Sequence, residues 1–271
     1  MSRIITVNDI KAPELEVFAS LTEAQLKNNE NVFIAESVKV IDVALDKGIE
    51  PLSFLMEERQ IDGIGKDLIK RCPDVPVYTA KREVLKELTG FPLTRGVLCA
   101  MKRPKTQGLE QVLSGAKRIA VLERLSDTMN VGAIFRSAAA LGIDAVLLFH
   151  NCSEPLNRRT VRVSMGSVFL VPWAFFEKEN FESPENAVEY LKSKGFVTAA
   201  LALKDNSINI NSPVLKESEK LALFLGAEGE GLSETTIDSC DYTVKIPMYH
   251  GVDSLNVAAA AAVSFWEIMG E

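Results

Sequence analysis

The chain has 271 residues, 47% hydrophobic and 25% charged, which is ordinary for a folded globular protein. No segment approaches the roughly 20 consecutive apolar residues of a membrane span, and the first residues lack the apolar run and cleavage site of a secretory signal, so a cytoplasmic protein is expected. The formal net charge of −7 argues against a surface that binds nucleic acid everywhere.

Charge is unevenly distributed along the chain. Residues 1–106 hold 16 basic and 16 acidic side chains, so the remainder carries the whole acidic excess. Within the neutral part, 66–105 concentrates ten basic residues against four acidic ones. This stretch includes Lys81, Arg82 and Arg95. A local basic face can attract phosphates despite an acidic total, and the alternative interpretation is a solvated helical surface.

The first part of the chain alternates short apolar runs with helical spacing. Residues 1–30 lack strong periodicity, although Leu15, Phe18 and Leu21 could share one helix face. The predicted strands are 32–34, 52–56, 76–78 and 97–101. The predicted helices are 38–45, 66–72 and 82–88. The polar stretch 102–108, which contains proline and glycine, is the best linker candidate, so we predict one domain over 1–106 and another over 107–271.

The second part alternates apolar strands with helices more regularly. The predicted strands are 118–123, 145–149, 168–171, 196–201, 221–225 and 242–246. The predicted helices are 131–141, 157–163, 184–194, 233–238 and 255–268. Near-continuous apolar strands separated by helices indicate a parallel sheet covered on both faces. The four cysteines have no paired spacing and are expected to be thiols, and with only two histidines a metal site is not expected.

The helix predicted at 131–141 follows a polar turn and carries one cation. Asp127 or Asn130 could cap this helix, since both are N-cap residue types. Arg136 interrupts an otherwise apolar helix. Either a structural ion pair or a functional site would explain an arginine there.

Two further segments combine a strand end, a flexible or polar turn and a helix. In the first, Gly226-Ala-Glu228-Gly-Glu-Gly231 has alternate glycines that let the backbone approach a ligand, but its spacing is that of neither a dinucleotide fingerprint nor a phosphate loop. A carboxylate between glycines indicates a cationic partner for Glu228. In the second, a strand ends at Ile246-Pro, and Ser254-Leu-Asn256 precedes an alanine-rich helix. An ordinary strand-to-helix connection is the alternative for this last segment.

Together, these three segments resemble the ordered motifs of the SpoU (TrmH-like) RNA 2′-O-ribose methyltransferases of the SPOUT class. The resemblance covers about 118–271, and the preceding segment is more loosely similar to the family's accessory substrate-binding domain. It implies an α/β fold in which a C-terminal parallel-sheet domain with a deep trefoil knot follows a smaller α/β domain. It also implies S-adenosylmethionine as methyl donor, a homodimer with the final helix at its seam, and no metal.

The resemblance also implies a set of site residues. The positions that match catalytic residues are Asn130, Arg136, Glu228, Ser254 and Asn256. The positions that match cofactor contacts are Leu201, Ala202, Gly226, Ile246, Ser254 and Leu255. Because a guanidinium stays protonated, we expect Arg136 to bind a phosphate and stabilise alkoxide charge, held in place by Glu228. The group that accepts the 2′-hydroxyl proton stays open.

The RNA contacts and the exact activity are less specified by the sequence. Arg158, Arg159 and Arg162 form a cationic helix face that could contact RNA phosphates together with Lys81, Arg82 and Arg95, unless it is only a solvated surface. Ribosomal RNA is favoured over transfer RNA because an accessory domain precedes the catalytic one. The alternatives are a non-catalytic RNA-binding or assembly protein with this fold, or a methyltransferase that acts on an RNA base.

Overall fold

The computed structural model describes residues 3–7, 9–19, 31–90, 93 and 96–269. The chain forms two compact units, Met1–Lys105 with Pro155–Phe169, and Thr106–Glu154 with Leu170–Glu271. The first boundary falls within the polar stretch 102–108. The segment Pro155–Phe169 differs from the expectation, because its contacts group it with the first unit although the sequence placed it in the second domain.

The first unit contains a five-stranded mixed sheet. Its strands are β1 (Ile4–Thr6), β2 (Val32–Glu36), β3 (Pro51–Glu57), β4 (Val77–Ala80) and β5 (Val97–Lys102). They are ordered β1-β4-β3-β5-β2, with β4 parallel to β1 and β3, and β5 antiparallel to β3 and β2. The four strands predicted from the sequence are confirmed. β1 was missed because three residues are too few to show an alternating pattern.

Short helices complete the first unit. They are α1 (Glu16–Ala19), α2 (Val38–Asp46), α3 (Glu58–Ile61), α4 (Lys66–Arg71), α5 (Arg82–Thr89) and α8 (Arg158–Val163), the last from the returning segment. The three predicted helices are confirmed, as is the helix predicted at 157–163. Leu15 and Phe18 are buried in the apolar core of this unit, as their shared face predicted, whereas Leu21 lies outside the described residues.

The second unit contains a seven-stranded sheet. Its strands are β6 (Arg118–Glu123), β7 (Ala145–Leu148), β8 (Trp173–Phe175), β9 (Val197–Leu201), β10 (Ile208–Asn209), β11 (Leu221–Gly226) and β12 (Tyr242–Lys245). They are ordered β10-β12-β9-β11-β6-β7-β8, and every neighbouring pair is parallel. The parallel sheet is therefore confirmed. Because all strands run the same way, their carboxyl ends share one edge, where ligands collect in such folds.

Six helices of the described residues belong to the second unit. They are α6 (Leu109–Leu113), α7 (Thr128–Ala140), α9 (Pro184–Ser193), α10 (Pro213–Lys216), α11 (Glu234–Ser239) and α12 (Val257–Met269). Asp127 caps α7 by accepting a hydrogen bond from the backbone N–H of Met129 at 2.8 Å, so Asn130 lies inside the helix. The final helix α12 packs against α7 and β11. Gly132 and the alanines of α7, together with the alanines of α12, permit this close packing.

The strand predicted at 168–171 is wrong. This stretch forms a 3-10 turn, Ser167–Phe169, and the sheet strand begins only at Trp173. The preceding Met165 and Gly166 have φ of 55° and 85°, a left-handed pair that turns the chain, and Phe169 N–H donates to the Gly166 carbonyl at 3.0 Å. A short apolar run alone does not distinguish a strand from such a turn.

Candidate functional site

A cavity of about 670 Å³ opens in the second unit where β9, β11 and β12 end. Four chain segments line it, within 201–203, 225–231, 244–248 and 253–260. The lining residues are Leu201, Ala202, Leu203, Leu225, Gly226, Ala227, Glu228, Gly229, Gly231, Val244, Lys245, Ile246, Met248, Asp253, Ser254, Leu255, Asn256, Val257 and Ala260. All six positions expected to contact the cofactor belong to this lining, which brings together residues as far apart in sequence as 201 and 255.

The turn that follows β11 forms one wall of the cavity. Its first position admits only glycine, because a Cβ on Gly226 would lie 2.2 Å from the carbonyl carbon of Gly231 and from the amide nitrogen of Leu232. Gly231 has a left-handed φ of 68°, and its N–H donates to the Ala227 carbonyl at 2.9 Å. The tight turn leaves backbone exposed along the wall and carries Glu228 to the rim.

Asn256 joins the start of α12 to two other predicted catalytic residues. Its Oδ1 accepts hydrogen bonds from the backbone N–H groups of Ala258 at 3.0 Å and Ala259 at 3.3 Å. Its Nδ2 donates to Oδ1 of Asn130 at 3.1 Å and to Oε1 of Glu228. Since Oδ1 must face the backbone donors of the helix, the amide orientation is fixed and Nδ2 must face the two acceptors. Three segments thus converge on one amide.

Ser254 lies close to this cluster. Its hydroxyl donates to Oδ1 of Asp253 at 3.0 Å, and both residues line the cavity. The structure therefore brings four of the five predicted catalytic positions to the cavity or its rim: Asn130, Glu228, Ser254 and Asn256.

Arg136 is the exception, and the expected contact between Arg136 and Glu228 is not present. Arg136 is exposed on α7, does not line the cavity, and has no ion pair with any side chain in the part of the chain that the structure describes. Glu228 contacts Asn256 instead. Six helical residues turn through about 600°, so Arg136 points roughly 120° away from Asn130 around the helix axis.

A buried carboxylate that the sequence analysis did not select holds the far end of the glycine turn. Glu123, at the end of β6, is 2% exposed and accepts hydrogen bonds from Ser233 N–H at 3.2 Å and from the Thr236 hydroxyl at 2.6 Å. Arg124 pairs with Glu123 at 3.3 Å and with Glu230 of the turn at 3.0 Å. The available signal was an acidic residue that ends an otherwise apolar strand, since a buried charge requires partners.

Two arginines of the predicted cationic helix face form ion pairs with a buried carboxylate inside the first unit. Glu36 is buried and accepts ion pairs from Arg158 at 2.7 Å and Arg162 at 3.5 Å. The Arg158 side chain is only 17% exposed, and burial lowers its pKa from the ordinary value although Glu36 opposes this effect. Two of the three arginines therefore neutralise an internal carboxylate, whereas Arg159 is exposed on the same helix.

The basic stretch 66–105 is only partly described. Lys81 and Arg82 are exposed at the start of α5, and Arg82 lies 4.0 Å from the buried Glu57 carboxylate. Arg95 lies outside the described residues. Contact of these residues with RNA remains a prediction.

The thiols and carboxylates show no reactive or metal-binding arrangement in the described ranges. Burial raises the pKa of the Cys152 and Cys240 thiols to about 12, so neither is a thiolate at neutral pH. No group of histidine, cysteine or acidic side chains there could hold a metal ion. Likewise, none of the described helices combines the length and apolarity that crossing a membrane demands.

Comparison with known sequences identifies relatives along nearly the whole chain. The profile of the SpoU rRNA Methylase family matches residues 117–266. An uncharacterised tRNA/rRNA methyltransferase of Mycobacterium tuberculosis is 38% identical over 266 residues, covering 96% of this chain and 90% of the relative. The Bacillus subtilis 23S rRNA (guanosine(2553)-2′-O)-methyltransferase RlmP is 25% identical over 265 residues, covering 97% of this chain and 99% of that protein.

Solved structures share the fold. The AdoMet-bound rRNA methyltransferase from Sinorhizobium meliloti superimposes with a TM-score of 0.81 at 23% identity, covering 98% of this chain and 97% of that one. The family profile covers the residues that line the cavity and the turns that converge on it. The sequence match and the structural likeness therefore point to the same family. The chain belongs to the SpoU rRNA methylase family.

Proposed function

We propose that this protein is an S-adenosylmethionine-dependent methyltransferase that modifies a ribose 2′-hydroxyl in RNA. The observation that carries the proposal is the convergence of Asn130, Glu228 and Asn256 at the rim of the cavity. These polar groups come from three separate segments and lie beside a cavity lined largely by backbone and apolar side chains. This arrangement suits a bound cofactor with its reactive group next to an acceptor.

The cavity fits the proposed cofactor in size and chemistry. Its volume of about 670 Å³ lies within the range of small-molecule sites. Leu203, Leu225 and Leu255 supply apolar faces for an adenine ring, and the bare backbone at Gly226 permits close approach. Asp253 supplies negative charge for a cationic ligand. S-adenosylmethionine would supply an electrophilic methyl group there.

The reaction also requires a residue of this chain to accept the proton of the ribose hydroxyl. Arg136 cannot accept a proton, since a guanidinium is charged at all ordinary pH values. Oε1 of Glu228 is held by Asn256, and Oε2 has no hydrogen-bond partner within the described ranges. We therefore propose that Oε2 of Glu228 accepts the proton, while Asn256 fixes the carboxylate and Arg136 contacts a neighbouring RNA phosphate.

Glu228→Gln tests this assignment of the proton acceptor. The amide has nearly the same size as the carboxylate, but its oxygen is much less basic and cannot serve as the proton acceptor. We expect turnover to fall by roughly 100-fold or more, with the dissociation constant for S-adenosylmethionine, measured by calorimetry, changed by less than about threefold. Glu230→Gln in the same turn is the matched control and should retain most of the turnover. Near-normal turnover of Glu228→Gln would remove Glu228 from this role.

Ribosomal RNA is the proposed substrate, in the cytoplasm. The family description and the likeness to RlmP along nearly the whole chain support this choice. RNA from cells with and without the gene should be digested and analysed by mass spectrometry to map the methyl group. A 2′-O-methylated nucleotide that is lost from ribosomal RNA supports the proposal. Loss of a base methyl, or no loss combined with no cofactor binding, would support the alternative activities.

We also propose a homodimer and a deep trefoil knot. The outer face of α12 exposes Val263, Trp266 and Met269, with Trp266 69% exposed, and an apolar face of this kind suits a contact with a second copy. For the knot, the support is membership of the family, together with the small-faced α12 that packs against β11 and α7. Trp266→Lys should convert a dimer to a monomer in light scattering, and a monomeric wild type would refute the dimer.

A further inference from the structure

The loop between β12 and α12 contains a tight turn that presents two apolar side chains to solvent. Val252 N–H donates to the Tyr249 carbonyl at 3.2 Å, and the two central residues, His250 and Gly251, have φ of 59° and 75°. Two left-handed central residues closed by this hydrogen bond are the pattern of a type I′ turn. Tyr249 is 78% exposed and Val252 is 54% exposed, so the turn holds an apolar surface in water.

This turn forms part of the cavity rim but not of its wall. Met248, just before the turn, and Asp253, just after it, both line the cavity, whereas Tyr249 and Val252 do not. A ligand that fills the cavity would therefore leave the Tyr249 ring uncovered. No other aromatic ring of the described residues stacks on it.

The charge around the cavity limits what can cover this surface. The lining carries the carboxylates of Glu228 and Asp253 and one cation, Lys245, so it lacks the positive excess that phosphates require. An uncharged planar group suits an exposed aromatic ring better. Single-stranded RNA is recognised in this way, with unstacked bases placed on aromatic side chains.

We propose that the turn Tyr249–Val252 is a base-binding platform, on which Tyr249 stacks against the base of the target nucleotide or of its immediate neighbour. This inference rests on the proposed function, because a ribose that reaches the cavity rim brings its base to the same place. The stacking holds the nucleotide in an unpaired conformation, while Asn130, Glu228 and Asn256 act on the ribose hydroxyl.

The test compares Tyr249→Phe, Tyr249→Leu and Tyr249→Ala with the wild type. The probe is ribosomal RNA purified from cells that lack the gene, with transfer of a radiolabelled methyl group as readout. Phenylalanine keeps the ring and should change the KM for RNA by less than about twofold, whereas leucine and alanine should raise it by roughly tenfold or more. Val214→Ala, which changes an exposed apolar residue outside the cavity lining, should leave the KM unchanged.

Two further measurements separate stacking from other roles. Calorimetry should give the same affinity for S-adenosylmethionine in all four proteins, and light scattering the same mass. A leucine variant as active as the phenylalanine variant, or a mass or cofactor affinity that changes with the KM, would overturn the platform. Absence of transfer by the wild type would instead refute the proposed function, and this inference with it.

Discussion

Replacing Ser37 by glycine should stabilise the first unit. Ser37 has φ of 89° and ψ of 147°, a combination that only glycine adopts without strain. It precedes α2 but forms no side-chain cap, and among the residues that the structure describes its buried hydroxyl has no hydrogen-bond partner. The backbone is nevertheless held there, because Ser37 N–H donates to the Val97 carbonyl at 2.9 Å and the Ser37 carbonyl accepts from Ile41 at 3.1 Å.

The size of the effect follows from three contributions. Relief of backbone strain contributes about 1–3 kcal/mol, and removal of an unpaired buried hydroxyl contributes about 1 kcal/mol. The additional freedom of glycine in the unfolded chain costs about 1 kcal/mol. Ser37→Gly should therefore raise the free energy of unfolding by about 2 kcal/mol, whereas Ser37→Ala, which keeps the strain, should gain at most about 1 kcal/mol.

Urea unfolding followed by far-ultraviolet circular dichroism measures this difference. A gain of about 2 kcal/mol moves the midpoint of the first unit by roughly 1 M urea. Both tryptophans, Trp173 and Trp266, belong to the second unit, so their fluorescence reports that unit separately. An unchanged or lower midpoint for Ser37→Gly would show that the backbone at this position is not strained.

Other predictions concern the second unit. Glu123→Gln cannot accept hydrogen bonds from both Ser233 and Thr236 without misplacing its amide group, so the glycine turn loses an anchor. Calorimetry should then show S-adenosylmethionine binding weakened by about tenfold. An unchanged affinity would show that Glu123 does not support the cavity. Arg136→Ala should reduce turnover at least ~100-fold with nearly unchanged cofactor affinity, and near-normal turnover would exclude Arg136 from the mechanism. Asn256→Asp should fold normally, because an oxygen still caps α12, but lose turnover because two carboxylates then face each other. The thiols of Cys152 and Cys240, whose pKa is raised to about 12, should resist iodoacetamide at pH 8 in the native protein and react after unfolding, and rapid native labelling would contradict their burial.

Long regular elements of the fold could be predicted from the sequence. β6, β9 and β11 are buried apolar runs of five or six residues between helices with clear spacing, and these features specify a parallel sheet. β10, with two residues, and α10, with four, carry too little pattern to be recognised. The segment Pro155–Phe169 shows another limit, because residue patterns indicate a helix but not the unit against which it packs.

The same distinction holds for the basic residues. Arg158 and Arg162 were predicted to share a cationic helix face, available to RNA phosphates or to solvent, because they are four residues apart. Their partner, Glu36, lies more than 120 residues earlier, and only the folded chain brings the three together. Charge spacing along a helix therefore identifies which arginines share a face, but not whether that face is already neutralised.

Asn256 explains why the site could be located from sequence more accurately than the orientation of Arg136. Its oxygen caps α12, so an N-cap residue is required there for helix stability, and the same requirement aims its amide at Glu228 and Asn130. A local signal for a helix start thus also fixes a contact between distant segments. Arg136 has no such local constraint, because an exposed helical arginine can be accommodated without any partner. The residue pattern therefore does not specify which way its charge points.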